Sequence, residues 1–182
     1  MNVVFLDRDG TIIVDPLDER VDTIEKIELF PDTIGALKYL ADHDFAVVLI
    51  TNQAGIAEGR ITEDDFWRIH NEVLSRIEPS GVTILKTYMN GEAANPNQSQ
   101  WRKPGPKMLL QAAEDFNLDI GDIFMVGDSQ SDITAGINAH CKGGILVETA
   151  TNHKVVSPDA VFSAPHLLDA AKYIVSQTPT KP

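Results

Sequence analysis

Short runs of apolar, mostly β-branched residues recur along the chain, and they restrict its fold more than any other feature. They occupy residues 3–6, 46–50, 123–126 and 145–147, and a further strand is predicted over residues 82–89. The first four runs are apolar at every position rather than at alternate positions, which is typical of strands covered on both faces. The pattern therefore predicts a mostly parallel sheet with helices on both sides.

Segments with helical spacing separate these runs. Five are predicted, and they begin near Asp32, Thr62, Pro106, Asp132 and Pro165. Asp32 and Thr62 are residue types that commonly precede the first turn of a helix. The alternation of strands and helices predicts an α/β protein with a three-layer α/β/α, Rossmann-like fold. We expect one domain over residues 1–176 and a frayed tail over residues 177–182.

Charge and cysteine content limit the partners and the location that we expect. Among 182 residues, 15 are Lys or Arg and 27 are Asp or Glu, which gives a formal net charge of −12. Such a charge repels nucleic acids and anionic membranes. The single Cys141 excludes an internal disulfide framework, and no apolar stretch approaches the roughly 18 residues that span a bilayer. We expect a cytoplasmic monomer with no nucleic-acid or membrane partner.

Polar side chains follow three of the apolar runs, at the point where each predicted strand ends. Asp7 and Asp9 follow the first run, residues 51–53 follow the second, and Asp128 and Asp132 follow the third. Ligands of open α/β sheets bind beyond the carboxyl ends of the strands. A lone pair of aspartates is more often a turn or a helix cap, but three polar strand ends together favour a functional site.

Several carboxylates on one edge of a sheet require a cation. Two carboxylates about 5 Å apart repel each other by roughly 3 kcal/mol at an effective dielectric constant near 20. Oxygen ligands without His or Cys favour a hard ion such as Mg²⁺. Arg102 and Lys103 could add positive charge from another loop, and an anion that shares a site with a metal and a lysine is most naturally a phosphate. One aspartate could then attack phosphorus and form an aspartyl phosphate, while another transfers protons.

In their order along the chain, these motifs resemble those of the haloacid dehalogenase-like (HAD) phosphatase superfamily. FLDRDGT, Thr51, Lys103 and GDSQSD match its four motifs. The resemblance implies that Asp7 is the nucleophile and that Asp9 is first the general acid and then the general base. It also implies that Thr51 and Lys103 bind the transferred phosphoryl group.

The same resemblance implies a bound Mg²⁺ ion. Asp7, the backbone carbonyl of Asp9 and Asp128 would hold the ion. Asp132 would lie behind these ligands or bind the ion through a water molecule. Metal, lysine and hydroxyl would then face the negative charge that develops on the transferred phosphoryl group.

Further details are similar to one branch of the superfamily. FLDRDGT, TNQAGIA and RKPGPKM resemble the D-glycero-D-manno-heptose 1,7-bisphosphate phosphatases and the related histidinol phosphatases, which lack a large cap domain. The intervals between the motifs leave no room for such a cap here. The resemblance implies that Asn52, Gln53 and Arg102 contact the substrate, with Arg102 at the leaving group, and that residues 15–18 lie at the pocket mouth. The substrate would be a small sugar phosphate, such as heptose 1,7-bisphosphate.

The chain departs from this branch in three places. Heptose bisphosphate phosphatases commonly carry a zinc loop before RKP, whereas residues 90–100 contain neither Cys nor His. Zinc is therefore not expected, and Trp101 is expected to pack inward and order this loop. Glu58 and Ser129 stand where the family often has basic residues, which weakens the expectation of a bisphosphate substrate.

Four other functions fit parts of the pattern. Histidinol phosphatases share these motifs, which do not separate the two substrates. A nucleic-acid 3′-phosphatase is disfavoured by the acidic charge balance. A catalytically silent binding module is expected to lose Asp7, Asp9 or Lys103, and all three are present. A mutase would need a cap that keeps water out.

Overall fold

A six-stranded parallel sheet forms the centre of the molecule. The structure, a computed structural model, describes residues 2–16, 20–93, 99–148 and 157–178. The strands are β1 Asn2–Leu6, β2 Phe45–Asn52, β3 Thr83–Asn90, β4 Phe124–Gly127, β5 Gly143–Val147 and β6 Phe162–Ala164. They lie in the order β3-β2-β1-β4-β5-β6, and each neighbouring pair is parallel. β1 is therefore central, between β2 and β4.

Helices cover the two faces of this sheet. Their bounds are α1 Thr33–Asp42, α2 Ala54–Ala57, α3 Glu63–Ile77, α4 Lys107–Asp115, α5 Gln130–Asn138 and α6 Leu167–Ser176, with short 3₁₀ turns at Ile24–Lys26, Glu78–Ser80 and Ile120–Asp122. Apolar side chains of α1, α3 and α6 share one core cluster, and those of α4 and α5 share the other. The predicted three-layer α/β/α architecture is confirmed.

Successive residues of β1 belong to the two separate cores. Val4 and Leu6 pack with the cluster of α1, α3 and α6, whereas Val3 and Phe5 pack with that of α4 and α5. Side chains alternate between the faces of a strand, so a strand covered on both sides must be apolar throughout. This requirement explains the continuous apolar runs. The parallel pairing of β1 with β2 and β4 brings the carboxyl ends of the three strands to one edge.

Asp32 has a different role from the one that the sequence predicts. It precedes α1 as expected, but its side chain makes no hydrogen bond within that helix. Its Oδ2 instead accepts a hydrogen bond from the backbone N–H of Leu168 at 2.9 Å. Leu168 lies in the first turn of α6, whose amide groups lack partners within the helix. Asp32 thus caps a neighbouring helix and joins α6 to α1.

The described residues do not settle two of the predictions. The single domain over residues 1–176 stays a prediction, and residues 179–182 of the predicted frayed tail lie outside the described part of the chain. Within residues 2–16, 20–93, 99–148 and 157–178, no helix combines the length and the apolar character that crossing a membrane requires.

Candidate active site

Three buried acids and one lysine meet at the carboxyl edge of the sheet, and we call them the cleft floor. They are Asp7, Lys103, Asp128 and Asp132, each at most 7% exposed. One carboxylate oxygen from each of the three acids lies within 4.8 Å of the others. The backbone N–H of Asp7 donates to the carbonyl of Val126 at 2.8 Å, which fastens the end of β1 to β4.

Lys103 reaches into this cluster from the loop before α4. Its Nζ lies 2.6 Å from Oδ1 of Asp7 and 2.6 Å from Oδ1 of Asp132, and it donates to the carbonyl of Ile50 at 2.7 Å. Burial alone would lower the pKa of Lys103, but the charges of Asp132 and Asp7 outweigh that effect and raise it. Lys103 is therefore a fixed cation between two acids.

Asn52 holds the backbone of Lys103 in place. Its side-chain Nδ2 donates to the carbonyl of Lys103 at 3.0 Å, and its Oδ1 accepts from the N–H of Lys103 at 3.1 Å. Both polar atoms of the Asn52 amide are thus paired with the backbone of Lys103. Asn52 lines the cleft, but these contacts indicate that its first role is to position Lys103.

Two glycines make room for the acids. A Cβ at Gly10 would overlap the carboxylate of Asp128, and one at Gly127 would overlap that of Asp132. Gly10 also has a φ of +81°, a backbone conformation that other residues rarely adopt. The start of α5 fixes Asp132 further, because its Oδ2 accepts from the backbone N–H of Ser129 at 3.1 Å. The close approach of the carboxylates is therefore built into the backbone.

The cleft floor fits a divalent cation. Burial raises the pKa of Asp7 well above its usual value; Lys103 opposes this rise, and the charges of Asp132, Asp128 and Asp9 add to it. The cleft floor holds three carboxylates and one ammonium group, so a further cation among these oxygens would offset the remaining negative charge. Carboxylate ligands without His or Cys suit Mg²⁺.

Asp9 lies on the wall of the cleft, and its carboxylate is held from two sides. Arg8 donates from Nε to Oδ2 at 3.0 Å and from Nη2 to Oδ1 at 2.9 Å. Gln53 donates from Nε2 to Oδ2 at 2.6 Å. Burial alone would raise the pKa of Asp9, but the charge and hydrogen bonds of Arg8, with the hydrogen bond of Gln53, lower it overall.

Thr51 lies behind Asp9, at the end of β2. It is fully buried, and its hydroxyl accepts a hydrogen bond from Nε2 of Gln53 at 2.8 Å and lies 3.4 Å from Oδ2 of Asp9. Gln53 therefore uses its amide nitrogen on two neighbouring site residues. The predicted phosphate contact of Thr51 and substrate contact of Gln53 stay predictions.

A cleft of about 180 Å³ opens above the cleft floor. All the predicted site residues except Thr51 line it: Asp7, Asp9, Asn52, Gln53, Arg102, Lys103, Asp128 and Asp132. The structure therefore brings together acids, a lysine and an arginine that are far apart in sequence. This convergence at the ends of β1, β2 and β4 is what the polar strand ends predict.

Three charged residues form what we call the cleft mouth: Asp15, Arg20 and Arg102. Arg102 donates from Nη1 to the carbonyl of Glu92 at 2.9 Å. Burial lowers the pKa of Arg102, and the nearby charge of Arg20 lowers it further. Glu58 lies 3.7 Å from Arg20. Two guanidinium groups near one another at the entrance form a place suited to an anionic group.

Sequence reasoning missed Arg20 and Arg8. Arg20 belongs to none of the motifs, and its closeness to the first motif is the signal that could have been weighed. Arg8 lies inside the first motif, but its contact with Asp9 depends on a buried position that the sequence does not reveal.

Trp101 does not pack inward as predicted: it is 40% exposed, with Nζ of Lys107 5.9 Å from its ring centroid. Residues 94–98 of its loop lie outside the described part of the chain.

Comparisons with known proteins agree with this geometry. Residues 100–170 match the family model of HAD-hydrolase-like proteins. The chain is 33% identical over 172 residues to the D-glycero-beta-D-manno-heptose-1,7-bisphosphate 7-phosphatase of Pasteurella multocida, an alignment that covers 92% of this chain and 91% of that protein. The chain belongs to the HAD-like phosphatases. The resemblance stated from its motifs is thereby confirmed.

Two further similarities bear on the branch of the family. The chain is 34% identical over 142 residues to the histidine biosynthesis bifunctional protein HisB of Spirosoma linguale, covering 77% of this chain but 37% of that protein. The crystal structure of D,D-heptose 1,7-bisphosphate phosphatase from B. bronchiseptica, complexed with magnesium and phosphate, matches with a TM-score of 0.87 and 26% identity. That match covers 98% of this chain and 100% of the other.

Proposed function

We propose that this HAD-like phosphatase hydrolyses a small sugar phosphate, most naturally D-glycero-D-manno-heptose 1,7-bisphosphate or a similar compound, in a Mg²⁺-dependent reaction. The observation that carries the proposal is the buried contact of Lys103 with both Asp7 and Asp132, at 2.6 Å each, with Asp128 beside them. The similarity to heptose bisphosphate phosphatases over most of the chain supports the substrate class.

The reaction follows from the positions of two aspartates. Asp7 attacks phosphorus in line with the leaving oxygen while Asp9, on the cleft wall, gives a proton to that oxygen. Because Arg8 and Gln53 lower the pKa of Asp9 in the empty cleft, this step requires that the negative phosphoryl group, once bound beside Asp9, raises that pKa again. Lys103 and the hydroxyl of Thr51 stabilise the negative charge on the phosphoryl group. Water then attacks the phosphorus of the aspartyl phosphate, and Asp9 takes its proton. Inorganic phosphate leaves, and both acids return to their initial state.

Asp7, Asp128 and the backbone carbonyl of Asp9 would hold the Mg²⁺ ion. When bound, the ion supplies Lewis-acid stabilisation of the phosphoryl oxygens and neutralises the crowded carboxylates. Asp132 is bonded through Oδ1 to Lys103 and through Oδ2 to the N–H of Ser129. Its proposed role is therefore to hold Lys103 and complete the acidic cluster.

The cleft mouth supports a substrate with a second anionic group. Arg20 and Arg102 both line the cleft outside the cleft floor, and Asp15 lies with them at the mouth. Glu58, which stands where the family often has a basic residue, lies beside Arg20 and Arg60, at 3.7 and 3.0 Å. Arg60, the nearer of the two, offsets part of the negative charge of Glu58, and Arg20 and Arg102 are the cations that line the cleft. A phosphate on the leaving part of the substrate would face Arg20 and Arg102.

Histidinol phosphate is the second candidate substrate. The similarity to the HisB protein of Spirosoma linguale favours it, and Asp15 in the cleft mouth could pair with the ammonium group of histidinol. The two substrates make opposite demands on the mouth, because one carries a second phosphate and the other carries a cation. Turnover measurements therefore separate them.

A substrate screen tests the proposal. Purified protein is given both anomers of heptose 1,7-bisphosphate and histidinol phosphate, with Mg²⁺ or with EDTA, and phosphate release is measured. We expect a higher kcat/KM for the heptose compound, activity that EDTA removes and Mg²⁺ restores, and a Tm that rises with Mg²⁺. Asp128→Asn should lose most of that Tm response, whereas the exposed control Asp122→Asn should keep it. A higher kcat/KM for histidinol phosphate would reverse the order of the candidates.

A further inference from the structure

Arg8 lies between the two catalytic candidates in sequence, yet its side chain is only 1% exposed. Its Nε and Nη2 form a two-point contact with the carboxylate of Asp9, at 3.0 and 2.9 Å. Its Nη1 is buried and has no hydrogen-bond partner among the described residues. Burying a guanidinium group is costly unless it is well paired. A sequence that tolerates this cost next to Asp9 suggests a role for the contact.

The surroundings of Arg8 fix the direction of its guanidinium group. The group lies over the ring of Phe66 in α3, with its Cζ 4.8 Å from the ring centroid. His70 stacks on the same ring at 5.5 Å, with 9° between the planes, and its Nε2 lies 2.8 Å from Oγ1 of Thr87. The side-chain contacts that run from β3 through His70 and Phe66 to Arg8 therefore form a packed wall behind Asp9.

Among the described residues, every hydrogen bond given to the Asp9 carboxylate comes from this wall or from β2 and its end. Arg8 contacts both oxygens, and Gln53 and Thr51 contact Oδ2. Without Arg8, Oδ1 would lose its donor and the carboxylate could rotate about the remaining contacts on Oδ2. A small misplacement of a proton-transferring group is expensive in rate.

We propose that Arg8 is a positioning residue for Asp9, which fixes the carboxyl group at the cleft wall in the orientation used for proton transfer. This inference rests on the proposed phosphatase function. It assigns to Arg8 a geometric role through its planar, two-point fork rather than a role through charge alone. Lysine, a single-point cation, would not replace it.

Leaving groups that differ in their need for a proton test this role. An alkyl leaving group, as in heptose 1,7-bisphosphate, needs a general acid, whereas dinitrophenolate leaves without one. We expect Arg8→Met and Arg8→Lys to lower kcat/KM for the heptose compound by about 10- to 100-fold, within the usual range of general acid catalysis. For dinitrophenyl phosphate the change should be under about threefold, because kcat/KM reports only the steps up to phosphoryl transfer.

Arg76→Met is the matched control. Like Arg8, Arg76 is paired through its guanidinium group, with Nε 2.9 Å from Glu72 and Nη1 2.6 Å from the carbonyl of Ile27, but its side chain is 35% exposed and it does not line the cleft. We expect no change in the ratio of the two kcat/KM values. If Arg8→Met does not fold, Phe66→Leu keeps the arginine, removes its aromatic support and should produce a smaller shift of that ratio in the same direction.

The outcomes separate the two proposals. Equal losses on both substrates in folded Arg8 variants, no loss on either, or full activity of Arg8→Lys would overturn the positioning role while leaving the phosphatase function standing. A crystal structure of Arg8→Met with the Asp9 carboxylate unmoved would overturn it as well. A wild-type protein inactive on both substrates would overturn the proposed function, and this inference with it.

Discussion

The cleft floor and the cleft mouth are built in different ways. At the floor, Lys103 is 4% exposed and bonded to two acids whose positions depend on strand ends and on glycines. At the mouth, the side chain of Arg20 is 50% exposed and lies 3.7 Å from Glu58, a distance at which an ion pair contributes little. One region is fixed by the fold, and the other is held loosely by surface contacts.

This difference assigns separate tasks to the two regions. Catalysis needs groups that are already oriented and do not have to reorganise, which a packed, buried floor provides. Recognition of different substrates needs side chains that can change without disturbing the core, and exposed residues of loops meet that condition. The floor should therefore determine the reaction, and the mouth should determine which phosphate ester is accepted.

Asp7→Asn should give the largest effect. The change is nearly isosteric but removes the proposed nucleophile, so kcat should fall by about 10⁴-fold or more while the fold remains intact. Steady-state kinetics and circular dichroism measure the two expectations. Asp42→Asn is the control, since Asp42 is an exposed partner of Lys38 on α1. Normal turnover in Asp7→Asn would reject the nucleophile and, with it, the distinction between floor and mouth.

Lys103→Met should have the next largest effect, and it acts on stability as well as on rate. Removing the ammonium group leaves Asp7 and Asp132 buried without their cation, so the free energy of unfolding in EDTA should fall by about 3 kcal/mol. Saturating Mg²⁺ should recover part of that loss, and kcat/KM should fall by about 10²- to 10³-fold.

Denaturant unfolding with and without Mg²⁺ measures this prediction for Lys103. The control is Lys86→Met, because Lys86 also pairs with a carboxylate, Asp115 at 2.6 Å, but is half exposed on β3. Its loss of stability should be under about 1 kcal/mol and independent of Mg²⁺. If Lys86→Met and Lys103→Met behaved alike, burial would not be what distinguishes the floor.

The sequence predicts the floor well for the same physical reason that makes it rigid. A strand buried on both faces must be apolar, so the polar residue that ends it stands out, as at Asp7 and Asp128. The short strand Phe162–Ala164 was not predicted, because it has only three residues and its central Ser163 is exposed. Patterns reveal elements that bury much surface and overlook those that bury little.

Side-chain partners are harder to predict than positions. Asn52 is correctly placed at the cleft by its strand, but its pairing with both backbone groups of Lys103 depends on how a distant loop returns. The contact of Arg8 with Phe66 likewise joins the loop after β1 to α3, which follows β2 in the chain. Such contacts are set by tertiary packing, which local spacing does not encode. The mouth is the least predictable region because its residues are not constrained by burial.

Arg20→Met should have the smallest effect, confined to one class of substrate. For heptose 1,7-bisphosphate, KM should rise by about tenfold with kcat nearly unchanged, since loss of one charged contact to a phosphate is worth about 1.4 kcal/mol. A monophosphate of the same sugar should be hydrolysed as before.

Arg60→Met is a matched control: Arg60 pairs with the same Glu58, at 3.0 Å, but does not line the cleft. Equal effects of the two variants, or equal effects on the two substrates, would show that Arg20 acts through the general field of the surface. A rise in KM for the bisphosphate alone would place recognition of the second phosphate at the mouth, separate from the chemistry at the floor.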